Sequence, residues 1–182
     1  MLHPPTPPLL SLPAELRNLI YSYVFANQTI EPVPEPWRQR NDTTIRDPIV
    51  LTLLHVNRQL HAETRLLPYR DISFAFTSTR TLNVFVAKRS QEQLDFIQSL
   101  QIESMICFRM LQDEKLWAPE QFRNLASMPA LKRIDVVDVQ GWRDSEVFRA
   151  RGLRRMVKCI RKWRAEVKVV ARDDKGRWNF NM

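Results

Sequence analysis

Two short strings, Glu15-Leu16-Arg17 and Glu63-Thr64-Arg65, each place a carboxylate and a guanidinium two positions apart within an apolar helical stretch. Side chains two apart on a helix do not face each other. Each charge is therefore free to pair with a residue elsewhere. The spacing predicts cross-helix pairs: Glu63 with Arg17, and Glu15 with Arg65 or Arg58. Arginine suits this role because its planar fork meets a carboxylate through two parallel hydrogen bonds. The other use of the same four charges is recognition of a partner. Both are non-covalent chemistry.

Residues for covalent chemistry do not assemble. The chain has 3 glycines, too few for a phosphate-cradling loop. His55 and His61 are six apart on one helix, hence on different faces, and no cysteine joins them as a metal ligand. Asp135 and Asp138 point to opposite faces of one strand. Asp173, Asp174, Lys175 and Gly176 read as a turn. Cys107 and Cys159 lie far apart in apolar surroundings and read as reduced, buried thiols. The catalytic, cofactor and metal sets are all empty, and the chain reads as non-enzymatic.

A second charged constellation lies near the C-terminus. Between Arg143 and Arg177 there are 13 Lys and Arg against 5 acids, which accounts for the entire net charge of +8. Within the predicted helix 145–164, Arg151, Arg154, Arg155, Lys158, Arg161 and Lys162 fall in an arc of roughly 120°. Phe148, Gly152, Leu153, Met156, Val157, Cys159, Ile160 and Trp163 fill the opposite half. Only Arg149 breaks the division. Such an arc is either a solvated helix face or a binding surface for nucleic acid, an acidic protein or an anionic membrane.

The elements that position these residues follow from periodicity. Residues 1–8 form a proline-rich leader. Helix one is expected from Pro13 to Phe25, with Pro13 at the first helical position and Glu15 in the first turn. Leu16, Leu19, Ile20, Tyr23 and Val24 form its apolar stripe. A loop spans 27–47. A second helix is capped by Asp47, carries Val50, Leu53, Leu54, Asn57, Leu60, Thr64 and Leu67 on one face, and ends at Pro68. Strands follow at 72–76, 100–108, 131–139 and 166–172, with helices at 80–88, 90–100, 119–128 and 145–164. Ser90 and Gln93 have the spacing of a capping box. This alternation predicts an α/β fold, α+β overall, with a mostly parallel sheet joined by right-handed crossovers. The organisation is a leader (1–8), a helical module (9–68) and an α/β platform (69–182).

The quoted elements carry two resemblances. The stretch FRNLASMPALKRIDV resembles one unit of a leucine-rich repeat, with Leu131, Ile134 and Val136 pointing inward. LLSLPAELRNLIYSYVF and LLHVNRQLHAETRLLPYRDISFAF are similar to the fungal F-box-like proteins named for two E-x-R motifs. That resemblance implies an F-box-like helical module followed by a repeat-like platform. It further implies a non-enzymatic adaptor that docks on the Skp-type linker of a cullin ubiquitin ligase. Leu12, Pro13, Leu16 and Ile20 are then the linker contacts; the alternative is that all four pack the helical core. A second reading is a nucleic-acid-associated or other polyanion-binding protein that uses the basic helix. The start MLHPPTPPLL has no basic n-region and no run approaches the roughly 20 apolar residues of a membrane span. The expected location is cytoplasm or nucleus.

Overall fold

Among the described residues, five β-strands lie parallel and side by side in the order in which the chain makes them. A computed structural model describes residues 8–26, 28–32, 54–103, 119–138, 146–173 and 180–181. Its strands are β1 (Thr29–Ile30), β2 (Ser73–Phe76), β3 (Ser99–Glu103), β4 (Arg133–Asp138) and β5 (Lys168–Asp173), followed by the antiparallel β6 (Phe180–Asn181). The chain is therefore α/β with a largely parallel sheet.

Alternation along the strands decides which face is buried, because successive side chains point to opposite sides. One in-register row is Ile30, Phe74, Leu100, Ile134 and Val169; the next is Phe76, Ile102, Val136 and Ala171. These rows meet the apolar sides of the helical crossovers in one core. Helix α4 (Thr79–Ala87) contributes Leu82, Phe85 and Val86. A 3-10 helix (Pro119–Ser127) contributes Phe122 and Leu125, and helix α6 (Glu146–Trp163) contributes Leu153, Met156, Val157, Cys159 and Ile160. One core means that these helices cover the same sheet face. Sequential strand order produces this, since each crossover of one hand then lands on the same side. The Cys159 thiol is part of this core, and burial pushes its pKa up.

The opposite sheet face is more polar. Ala75, Gln101, Asp135 and Val170 form one row, and Ser99, Arg133 and Lys168 another. Asp135 is buried there and accepts a bond of 2.8 Å from Arg133 Nε. This ion pair offsets the like-charge contact of Arg133 with Lys168 across the strands.

A smaller apolar cluster holds the helical part: Tyr21 and Phe25 of α1 (Ala14–Phe25), Leu60 of α2 (Arg58–Thr64), and Ile72. Leu67, at the start of the short α3 (Leu67–Asp71), packs against it, and Ile30 packs against both clusters.

Several boundaries differ from expectation for local reasons. Helix α1 starts at Ala14, with Pro13 as N-cap and not as the first helical residue. Thr29 and Ile30, expected within a loop, instead pair with Ser73 and Phe74 and form an edge strand. The expected single helix up to Pro68 is interrupted. Asn57 is extended, at φ −156° and ψ 148°, and its side chain accepts from Gln59 N–H at 2.7 Å to cap α2. Pro68 sits in the first turn of α3 and so opens a helix where it was expected to end one. The Ser90–Gln93 capping box forms as expected, but its helix α5 (Gln91–Leu94) is one turn long, because β3 already begins at Ser99. The segment at 119 is 3-10 and not α. The expected features at 1–7, 33–53, 104–118 and 139–145, Cys107 among them, lie outside the described residues.

Candidate functional site

Helix α1 faces inward with Arg17, Tyr21 and Phe25 and leaves a second apolar stripe outward. Tyr21 and Phe25 are buried, whereas Leu16 is 47% exposed, Leu19 51% and Tyr23 75%. Ile20 is also exposed, Pro13 is exposed and Leu12 is half-buried. Residues 16, 19, 20 and 23 have the i, i+3, i+4, i+7 spacing of one helix face. Fully burying a leucine or isoleucine side chain contributes roughly 1.5–3 kcal/mol, so half-exposing four large residues forgoes on the order of 1 kcal/mol each. The four residues expected at a linker surface (Leu12, Pro13, Leu16, Ile20) are thus absent from the core clusters. Leu19 and Tyr23 extend the same face; they belonged to the apolar stripe in the sequence but not to the expected contact set.

The back of α1 explains its orientation. Arg17 Nε donates to Glu63 Oε2 at 3.0 Å and Arg17 Nη2 donates to Glu63 Oε1 at 2.7 Å, the two-pronged geometry of a guanidinium on a carboxylate. Tyr21 Oη donates to Glu63 Oε2 at 2.9 Å and Gln59 Nε2 donates to Oε1 at 3.0 Å. Arg17 Nη1 also donates to the Leu12 carbonyl. The side chains of Arg17 and Glu63 are 11% and 23% exposed, so water screens the pair only in part. Arg17, with help from Gln59 and Tyr21, holds the Glu63 carboxyl down to about 2 from its ordinary 4.5. Burial and the neighbouring Glu63 carboxylate raise the Tyr21 phenol.

The doubled E-x-R therefore divides in two. Arg17 and Glu63 pair as expected. The expected pairs of Glu15 with Arg58 or Arg65 do not form. Glu15 is exposed on α1, and Arg65 instead donates to Glu92 of α5 at 2.9 and 2.7 Å. The cause is the two-residue offset itself. With Arg17 facing α2, Glu15 is turned away from it by about 200°, and with Glu63 facing α1, Arg65 is turned away likewise.

The basic arc of α6 also lies outward. Arg151, Arg154, Lys158, Arg161 and Lys162 are exposed and Arg155 is half-buried. Lys162 Nζ lies 3.3 Å from Glu120 Oε1 on the 3-10 helix, so an acid from a neighbouring element meets one end of the arc. Lys162 is also near the Trp163 ring.

Among the described residues, no group of three His, Cys, Asp or Glu could hold a metal ion, and no helix is long and apolar enough to cross a membrane. Compared with known family models, curated proteins and solved structures, the chain gives no significant match.

Proposed function

We propose that the chain is a non-enzymatic protein-interaction module whose outward face of α1 docks on a partner. The partner that the Leu-Pro-x-Glu pattern favours is a Skp-type linker of a cullin ubiquitin ligase, with the α/β platform holding a client. The supporting observation is the exposure of Leu16, Leu19, Ile20 and Tyr23 on a helix that is fixed from behind by Arg17 and Glu63. An apolar stripe on a helix locked in this orientation is a preformed surface for another helix or groove. Leu12, Pro13, Leu16 and Ile20 are its linker contacts, and Leu19 and Tyr23 widen it.

Titration calorimetry with a purified Skp-type linker tests this reading. The expected result is binding in the micromolar range or tighter. The pair Leu16→Glu and Ile20→Glu should remove it while circular dichroism and the melting temperature stay unchanged, because neither side chain belongs to a core cluster. No heat of binding at micromolar concentrations would end the adaptor reading.

A further inference from the structure

The face of α6 opposite the core carries charges that the fold leaves uncompensated. Arg161 and Lys162 lie in the last turn, where cations offset the negative end of the helix, and Lys162 meets Glu120. Arg155 and Arg161 have interactions of their own. None of this applies to Arg151, Arg154 and Lys158. All three are exposed in the middle of the helix, and among the described residues they make no hydrogen bond or ion pair. Arg123, exposed on the adjoining 3-10 helix, is in the same position.

We infer that this face of α6 binds the phosphodiester backbone of a nucleic-acid duplex without reading its sequence. The surface has the features that backbone binding needs and lacks those of the alternatives. An amphipathic helix docks on a membrane by burying apolar residues beside its charges in the lipid. Here Leu153, Met156, Val157 and Ile160 are committed to the core. A protein interface is built around an apolar centre, yet the large exposed apolar residues among those described are Leu16, Leu19, Ile20, Tyr23, Val56 and Phe96, none of them on α6. What remains is a row of cations on a straight rod. From residue 151 to residue 161 the helix rises about 15 Å. A duplex carries one negative charge per roughly 1.7 Å of axis, or about nine over that length. No aromatic residue shares the basic arc, so base stacking contributes nothing and the binding is electrostatic.

The test is fluorescence anisotropy of the full chain with duplex DNA and duplex RNA, each of about 30 base pairs, at about 50 and 200 mM salt. Binding to either duplex is expected, with a dissociation constant of about 10⁻⁴ to 10⁻⁶ M near physiological salt and, for about four neutralised phosphates, a roughly 100-fold loss across that salt range. The double variant Arg154→Glu/Lys158→Glu should weaken binding at least about 10-fold, and Arg154→Ala/Lys158→Ala should do so to a smaller degree. The control Arg58→Glu/Lys88→Glu alters net charge by the same amount at exposed positions on other elements and should change affinity far less. Three results would overturn the inference: no binding at the lower salt, an equal loss in the control, or tighter binding to vesicles rich in anionic phospholipid than to either duplex.

Discussion

The acid at position 63 accepts from Arg17, Tyr21 and Gln59 at once. Its depressed pKa makes a signed statement about stability. A carboxyl at about 2 in the folded chain against 4.5 otherwise stabilises the fold above about pH 4.5, and that contribution is lost as pH falls toward 2. Urea denaturation of wild type and Glu63→Gln should therefore show the largest gap in midpoint near neutral pH. The gap should narrow across this acid window, with wild type the more acid-sensitive of the two. Equal acid profiles would mean that Glu63 is not held by its partners in solution. Tyr21→Phe removes one hydrogen bond to an ionised group without opening a cavity and should cost about 1.5–3 kcal/mol in the same assay. The pairing of Glu63 with Arg17 was legible because the i, i+2 spacing forces each charge to look outside its own helix. The exclusion of Glu15 was legible from the same spacing only after one pair had been chosen, and nothing local makes that choice. The acidic partner of Arg65 lies 27 residues away on α5, in a helix of one turn.

At the scale of elements, periodicity revealed where apolar residues gather but not which way they face. Leu16, Leu19, Ile20 and Tyr23 form a stripe that would suit a core equally well. Their outward orientation follows from what the opposite side of α1 holds: Tyr21 and Phe25 are buried with Leu60 and Ile72, and Arg17 is paired with Glu63. In consequence Leu16→Ala should cost under about 1 kcal/mol, as substitutions at exposed positions do, while weakening partner binding. The strands were legible for the contrary reason. Ile134 and Val136, or Phe74 and Phe76, alternate with residues of different character, and a strand offers only two faces. The break at Asn57 was hidden because Asn57 falls in register with the helical stripe, although its side chain makes a good cap. Asn57→Ala should destabilise the chain by about 1 kcal/mol, seen as a lower melting temperature. Strand β1 was hidden because two residues carry no period; its identity comes from Ser73 and Phe74, more than 40 positions later.

Across the whole molecule, the central strands carry the greatest sensitivity. Ile102 is fully buried on β3, which is bordered by β2 on one side and β4 on the other. Ile102→Ala should cost about 2–5 kcal/mol, a cavity-sized loss visible in chemical denaturation. Comparison with Leu16→Ala then separates residues that hold the fold from those that face outward. The exposed apolar stripe and the basic arc lie on two different helices. Helix α1 presents hydrophobic side chains near the beginning of the chain, and α6 presents cations near its end. The two surfaces can therefore be disabled independently by substitution.

The agreement between strand order and chain order has a consequence for synthesis. Each of β2 to β5 lies next to the strand made just before it, so a strand leaving the ribosome meets a neighbour that already exists. Among the described strands, none must wait for a distant segment to be inserted between it and its predecessor. Since elongation proceeds at about 5–20 residues per second and domains generally fold as units, the sheet can lengthen one strand at a time behind the advancing polymerisation site, with its newest edge always at the end still being made.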